Sequence, residues 1–496
     1  MKYLYKDGNK MISKFKGVFA FLLALSLVSC SQKTETVLSE VKIQSNAPHA
    51  QGLSEFTQET TQASTENIII KGNIYGTDGT PLLYSSEQKD GSFSRTFSEN
   101  YSIPFANILS ENANGIDKIL DSALMQKNPS PVNENDTVGQ SVQLTIDPNM
   151  QNSIYKYMEK NKIEGSVVVM RTDGSVAAEV SYPSFDPKNT YSAEEITGDG
   201  KYRNKAVTMA TPGSCFKIMS ATLAAYHGIY SLPDEGKWTD ENGASIVNWD
   251  YKDNPNYPVE RSLFSAILDS SNIFFAKVFN TLGYETVISD LENIFSFGNT
   301  DIVCDFGTLE NYIYATSDEE LKRSAFGQSN DLTTPMYLAA LVREAVLGDM
   351  VKPFMVQNIV DTNDVSKIIK KGSQPYQLMS SMPYEARQSV TEGMAAVAEN
   401  VGIHGFDNYS VYAKTGTAEI YKNAEYTGDY LYITGFMLNN YDNSGQKPIF
   451  TDYAEYKNTG SYSVIMQITN PLDFNFNYAS ESSHLYQDIL SCVAYS

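Results

Sequence analysis

Cysteine, histidine and tryptophan are scarce in this chain of 496 residues, which has four, four and two of them. Cys30, Cys215, Cys304 and Cys492 are too few for a disulfide scaffold and show no metal-ligand spacing. The histidines, scattered at His49, His227, His404 and His484, give a zinc centre or a histidine-based triad little to draw on. No metal or other cofactor is implied. Positive charge is also short: 37 Lys and Arg against 59 Asp and Glu leave a net charge of −22. That argues against nucleic acid or an anionic membrane face as the main partner, and an anionic substrate must be held by a local cation. Hydrophobic residues make up 42% of the chain, enough for two or three folded domains with a large core.

The first thirty residues carry Lys2, Lys6, Lys10, Lys14 and Lys16, then the apolar run Val18 to Val28, then Ser29-Cys30. A basic segment, a short apolar core and a small residue describe an export signal. The run is about half of the roughly 20 residues that a membrane-spanning helix needs. Met11 would also serve as a start, since the signal is complete without the first ten residues. From 31 to 67 the chain is rich in Ser, Thr, Gln and Glu and reads as a solvated stalk. Residues 68–140 read as a small module that opens on a strand, Ile68 to Tyr75, and a turn at Thr77-Asp78-Gly79-Thr80. Residues 141–496 read as a larger α+β domain. Its early strands are Val142 to Ile146 and a hairpin over 165–180; its middle is helical at 214–226, 262–282 and 336–347. Strands return at 409–413, 430–437 and 462–468, before a last helix at 483–493. Strands at both ends with helices between them predict a sheet that closes late around a helical centre.

Three short motifs carry chemistry. Thr211-Pro212-Gly213-Ser214-Cys215-Phe216-Lys217 reads as a turn running into a helix, which puts the Ser214 hydroxyl and the Lys217 amine on one face. The helix start also aims free N–H groups at whatever Ser214 attacks. Ser-x-x-Lys alone is weak, since Ser13/Lys16, Ser86/Lys89 and Ser444/Lys447 repeat it. Ser270-Ser271-Asn272 lies at a break between helical stretches, where its polar groups either relay a proton and hold an amide or merely cap a helix. Lys414-Thr415-Gly416-Thr417 follows a strand. Lys414 offers the missing cation, Gly416 close approach of a substrate backbone, and Thr417 a hydroxyl and an N–H; a plain surface turn is the alternative. Cys215 reads as a packed small residue, with no paired histidine to activate it.

Together, and in this order, the three resemble the serine, Ser-x-Asn and Lys-Thr-Gly elements of penicillin-binding proteins and serine β-lactamases. Further segments bring the chain nearest to class B penicillin-binding proteins: Lys71 to Gly79, Leu144 to Gln151, Val180 to Pro187, Arg203 to Ala206, Phe326-Gly327-Gln328, Thr334-Pro335-Met336 and Tyr432 to Phe436. Cys215 and Ala413 depart from the usual residues, and neither removes a catalytic group. The resemblance implies an antiparallel sheet with a helical subdomain and a peptidoglycan D,D-transpeptidase that is acylated by penicillin. It makes Ser214 the nucleophile, Lys217 its base, Ser270 a proton relay and Asn272 a substrate ligand, with Lys414, Thr415, Gly416 and Thr417 binding substrate. Stem peptides, β-lactams and a membrane glycan polymerase are the implied partners. Leu27-Val28-Ser29-Cys30 is similar to a lipobox, which implies a lipid anchor on Cys30 and an extracytoplasmic catalytic domain. A D,D-carboxypeptidase, a β-lactam-hydrolysing or -sensing relative, and a catalytically silent envelope scaffold are the alternatives.

Overall fold

The computed structural model describes residues 70–496 except 111–114, 131–137, 193–194, 196–199, 240–242, 244, 299–300, 330, 379–383, 407, 423–424 and 441–459, and the side chains of 384–386, 421–422 and 425. The export signal, Cys30 and the stalk lie outside the described residues. Among these residues no helix is long and apolar enough to cross a membrane.

In chain order the strands that matter begin with β1 (Ile74–Tyr75), β2 (Pro81–Glu87), β3 (Phe93–Phe97) and β4 (Ser141–Leu144). Helix α1 (Pro148–Asn161) follows, with Asp147 as its cap: the carboxylate accepts from the N–H groups of Asn149 and Met150, and Pro148 fits the first turn. The hairpin β5 (Gly165–Arg171) and β6 (Val176–Tyr182) precedes the short 3₁₀ turn Gly213–Phe216 and helix α2 (Lys217–Tyr226). Next come β7 (Ser231–Asp234), β8 (Lys237–Thr239), β9 (Ser245–Val247), β10 (Val259–Ser262), α3 (Leu263–Leu268) and α4 (Asn272–Leu282). The hairpin β11 (Ile302–Cys304) and β12 (Gly307–Leu309) leads to α5 (Pro335–Leu347), β13 (Val356–Asp361), β14 (Asp364–Lys371) and α6 (Tyr384–Asn400). The chain ends with β15 (Tyr409–Lys422), β16 (Glu425–Asn439), β17 (Tyr462–Ile468) and α7 (Ser483–Ala494).

The main sheet is antiparallel with the order β15-β16-β17-β5-β6. Its late closure is a pairing of β17 with β5, from Tyr462 opposite Arg171 to Ile468 opposite Gly165. Alternation sorts its side chains. Val167, Val169, Ile433, Met437, Val464 and Met466 face a core shared with Ile154 of α1 and Ile489 of α7. Val168, Met170, Phe436 and Ile465 face the opposite core, shared with α2, α4 and α5. The sheet is thus sandwiched between two helical layers, and β15 is its free edge.

Two readings need adjustment. Ile68 and Ile69 of the strand expected from Ile68 lie outside the described residues; among the described ones it pairs as a strand at Ile74–Tyr75, with Ile70 bridging Val138. The module drawn at 68–140 shares its sheet with residues beyond 141: the order is β14-β13-β4-β1-β2-β3, with β1 parallel to β4. Lys71 and Arg95 both pair with the buried Asp117, at 3.0 Å and 2.6 Å, which ties Lys71 into that module as a structural cation.

Candidate active site

The nucleophile turn, the helix break and the free edge strand converge on one point. Ser214 stands in the 3₁₀ turn directly before α2, half-buried, while Lys217 at the start of α2 is 1% exposed. The Lys217 Nζ lies 3.0 Å from the Ser214 Oγ. The long helix read over 262–282 divides into α3 and α4 at 269–271, and that break delivers the second motif. Lys217 Nζ donates to the Ser270 carbonyl at 2.7 Å and to the Asn272 Oδ1 at 2.8 Å, and lies 3.0 Å from the Ser270 Oγ. From the other side, Lys414 Nζ donates to the Ser270 Oγ at 3.0 Å and to the Thr415 carbonyl at 2.9 Å.

Hydrogen counting fixes what Lys217 can do. The Ser270 carbonyl and the Asn272 Oδ1 only accept, so they engage both hydrogens of a neutral amine. The lone pair is left to the hydroxyls of Ser214 and Ser270. Burial holds the Lys217 amine well below the ordinary lysine range, and the nearby Lys414 charge lowers it further. Lys414 is lowered to about 8 by burial and stays the cation of the site at neutral pH. The Phe326 ring centroid is 5.9 Å from Lys217 Nζ and closes the apolar side.

The Lys-Thr-Gly segment is not a turn after a strand: it lies within β15, which pairs residue by residue with β16 from Tyr409 to Ile420. Gly416 also has a further role. A Cβ there would lie 2.6 Å from the Cys215 Sγ, 3.0 Å from the Cys215 nitrogen and 3.1 Å from the Pro212 carbonyl oxygen. Gly213, at φ +55°, answers from the turn, since its Cβ would meet the Thr417 carbonyl oxygen at 2.6 Å. The two glycines let the nucleophile turn press against the edge strand. Cys215 is fully buried between them, with its Sγ 3.7 Å from the Lys414 carbonyl oxygen and 3.6 Å from the Thr434 Oγ1, and burial raises the thiol to about 11. Ala413 is buried in the strand and Thr415 is partly exposed. The Thr417 Oγ1 accepts from the Ala479 N–H at 3.3 Å.

Thr434 was not singled out from the sequence. It lies opposite Lys414 in β16 and donates to the Lys414 carbonyl at 3.1 Å. Only the strand register reveals it. Gly327 of the Phe326-Gly327-Gln328 segment has a spatial reason: a Cβ there would meet the Gly213 carbonyl oxygen at 2.1 Å. Cys215, Cys304 and Cys492 are free thiols.

Residues 165–479 match the family of the penicillin binding protein transpeptidase domain, a span of well over half the chain. The chain belongs to that family. This penicillin-binding protein carries the family's serine acyl-transfer chemistry on a mixed α+β fold, and the class B reading stands with it. Solved structures share the fold. The D,D-transpeptidase domain of a peptidoglycan glycosyltransferase from Eggerthella lenta is 20% identical, with a TM-score of 0.66 over 86% of this chain and 98% of that one. Penicillin-binding protein A from M. tuberculosis, as a ceftriaxone acyl-enzyme complex, is 18% identical with a TM-score of 0.69 over 86% and 98%. The apo form of penicillin-binding protein 3 from the same organism is 18% identical with a TM-score of 0.65 over 85% and 95%.

Proposed function

We propose that this penicillin-binding protein cross-links peptidoglycan by acyl transfer from a D-alanyl-D-alanine stem peptide to an amine on a second stem. The observation that carries the reading is the single amine, Lys217 Nζ, within 3.0 Å of both the Ser214 and Ser270 hydroxyls. Lys217 takes the Ser214 proton as the oxygen attacks the penultimate D-alanine carbonyl. The N–H groups of Ser214 and Thr417 hold the resulting oxyanion. Ser270, its oxygen already accepting from Lys414, passes its own hydrogen to the departing D-alanine nitrogen and recovers one from Lys217. The C–N bond breaks, an ester on Ser214 remains, and Lys217 is neutral again. Run in reverse with the second stem's amine, the same relay frees Ser214 and forms the cross-link. The free edge of β15 suits an extended peptide laid alongside it, with Lys414 and Thr417 next to its carboxylate.

Incubation with a stem-peptide donor and an added amine acceptor tests the reading. Mass spectrometry should show donor–acceptor amide with release of free D-alanine. Hydrolysed donor alone, at any acceptor concentration, would make the protein a carboxypeptidase. The lipobox-like Leu27-Val28-Ser29-Cys30 supports a lipid anchor on Cys30, which would set the site beside a membrane glycan polymerase that supplies its strands. Cys30→Ala should then release the protein from the membrane fraction, and unchanged retention would refute the anchor.

A further inference from the structure

Ser270 is a serine at φ +54°, in the left-handed region that residues with a side chain seldom occupy. Its carbonyl and its hydroxyl both face Lys217 because of that conformation, so something must hold it. The holding groups come from outside the three motifs. Asp234, the last residue of β7, is fully buried. Its Oδ2 accepts from the Ser271 hydroxyl at 2.7 Å and from the Arg261 Nε at 2.7 Å, and its Oδ1 accepts from the Gly236 N–H at 2.8 Å. Both oxygens face the Asn248 amide nitrogen, at 3.0 Å and 2.9 Å. The other end of Asn248 reaches the motif: its Oδ1 accepts from the N–H groups of Asn272 at 2.7 Å and Ile273 at 3.1 Å. The neighbouring Val247 carbonyl accepts from the Asn272 Nδ2 at 3.0 Å, which turns the Asn272 Oδ1 toward Lys217. Asp269 is fixed as well, by Arg261 and by the Trp249 Nε1, which donates to its carbonyl at 2.9 Å.

The loop is therefore gripped at 269, 271 and 272, and residue 270 is the one presented to the nucleophile. We propose that Asn248 and Asp234 are positioning residues for acyl transfer: they act through Ser270 and Asn272 to keep the Lys217 lone pair on the two hydroxyls. Both oxygens that accept from the Lys217 amine, the Ser270 carbonyl and the Asn272 Oδ1, depend on this grip. The inference rests on the reading of Ser214 and Lys217 given above. An ordinary helix cap would contribute stability alone; a positioning role also touches the chemistry. The ionisable groups facing Lys217 are Lys414 from β15 and the Cys215 thiol from its own turn, while Asp234, Arg261 and Asp269 lie behind the loop. If the loop drifts, water reaches the Lys217 amine and undoes the burial that keeps it neutral.

The test is the rate of acylation by a fluorescent penicillin across pH, for the full chain and its Asn248→Ala, Ser271→Ala and Asp147→Ala variants. Asp147→Ala removes a cap on α1, remote from the motifs, and serves as the stability control. Asn248→Ala should slow acylation at neutral pH by at least about tenfold. It should also move the acid limb of the profile upward by about one pH unit. Ser271→Ala, which cuts the link to Asp234, should move the same limb in the same direction and stands in if Asn248→Ala does not fold. Asp147→Ala should lower the melting temperature and leave the limb in place. An unmoved acid limb in both loop variants, with wild type acylated, overturns the inference and leaves these residues as caps. Failure of the wild-type chain itself to acylate overturns the reading of the site instead.

Discussion

Adding one methyl group at Gly416 is the sharpest perturbation the site offers. The Gly416→Ala Cβ falls 2.6 Å from the Cys215 Sγ, roughly 0.8 Å inside ordinary contact, and presses on the Pro212 carbonyl at 3.1 Å. The sulfur has nowhere to go: Cys215 is fully buried against the Lys414 carbonyl and Thr434. Overpacking of this kind costs about 1–3 kcal/mol of stability, which a fold of this size tolerates. The catalytic cost is larger. The strain is relieved by moving the Ser214 turn away from β15 by several tenths of an ångström to one ångström, and a misplacement near 1 Å costs about a hundredfold in rate. We expect acylation by a fluorescent penicillin to fall about a hundredfold, with far-ultraviolet circular dichroism unchanged. The double variant Cys215→Ala, Gly416→Ala removes the sulfur and should recover at least about tenfold of that loss. If glycine is required only so that a substrate backbone can approach, the double variant will be no faster than Gly416→Ala. Wild-type rates in the single variant would refute the packing argument outright.

The acylation rate should be bell-shaped in pH. Lys217 must be neutral to act as base, so the rate rises through its depressed pKa, well below the ordinary lysine value. Lys414 must be charged to bind an anionic substrate, so the rate falls above about 8; a profile still rising at pH 10 would contradict the assignment. Stability has its own pH signature at Glu179, which is buried, hydrogen-bonded to Asn204 and raised by desolvation from 4.5 to about 7. Between those values the folded chain keeps a proton that the unfolded chain releases, so stability falls as pH rises through the window and is flat above it. Glu179→Gln should therefore gain on the order of 3 kcal/mol at pH 8 and nothing near pH 4, and a pH-independent difference in denaturant midpoint would refute this.

Local chemistry was legible in the sequence where a motif keeps its groups within one turn or one strand. Ser214 and Lys217 meet because three residues of helix bring them together, and Asp147-Pro148 announces α1. The closing strand at 462–468 was also readable, because Tyr462, Val464, Met466 and Ile468 alternate along one face. Features set by distant approach were not. Helix α6 carries Gly393 in its middle, which weakens the helical pattern; that glycine is there because a Cβ would meet the Ile267 side chain at 2.9 Å. Strand β14 is largely exposed, so its pattern resembles a polar loop. Thr434, Asn248 and Asp234 act on motif residues 20 to 37 positions away, through side chains that no local period relates.

The central claim is that Ser214, activated by Lys217, becomes acylated. Intact mass of the chain after incubation with penicillin tests it most directly, alongside Ser214→Ala at matched melting temperature. The account predicts a single stable adduct on the wild-type chain, mapped to the peptide that contains Ser214, and none on the variant. An adduct that persists on Ser214→Ala, or a wild-type chain that takes up no penicillin, would contradict it.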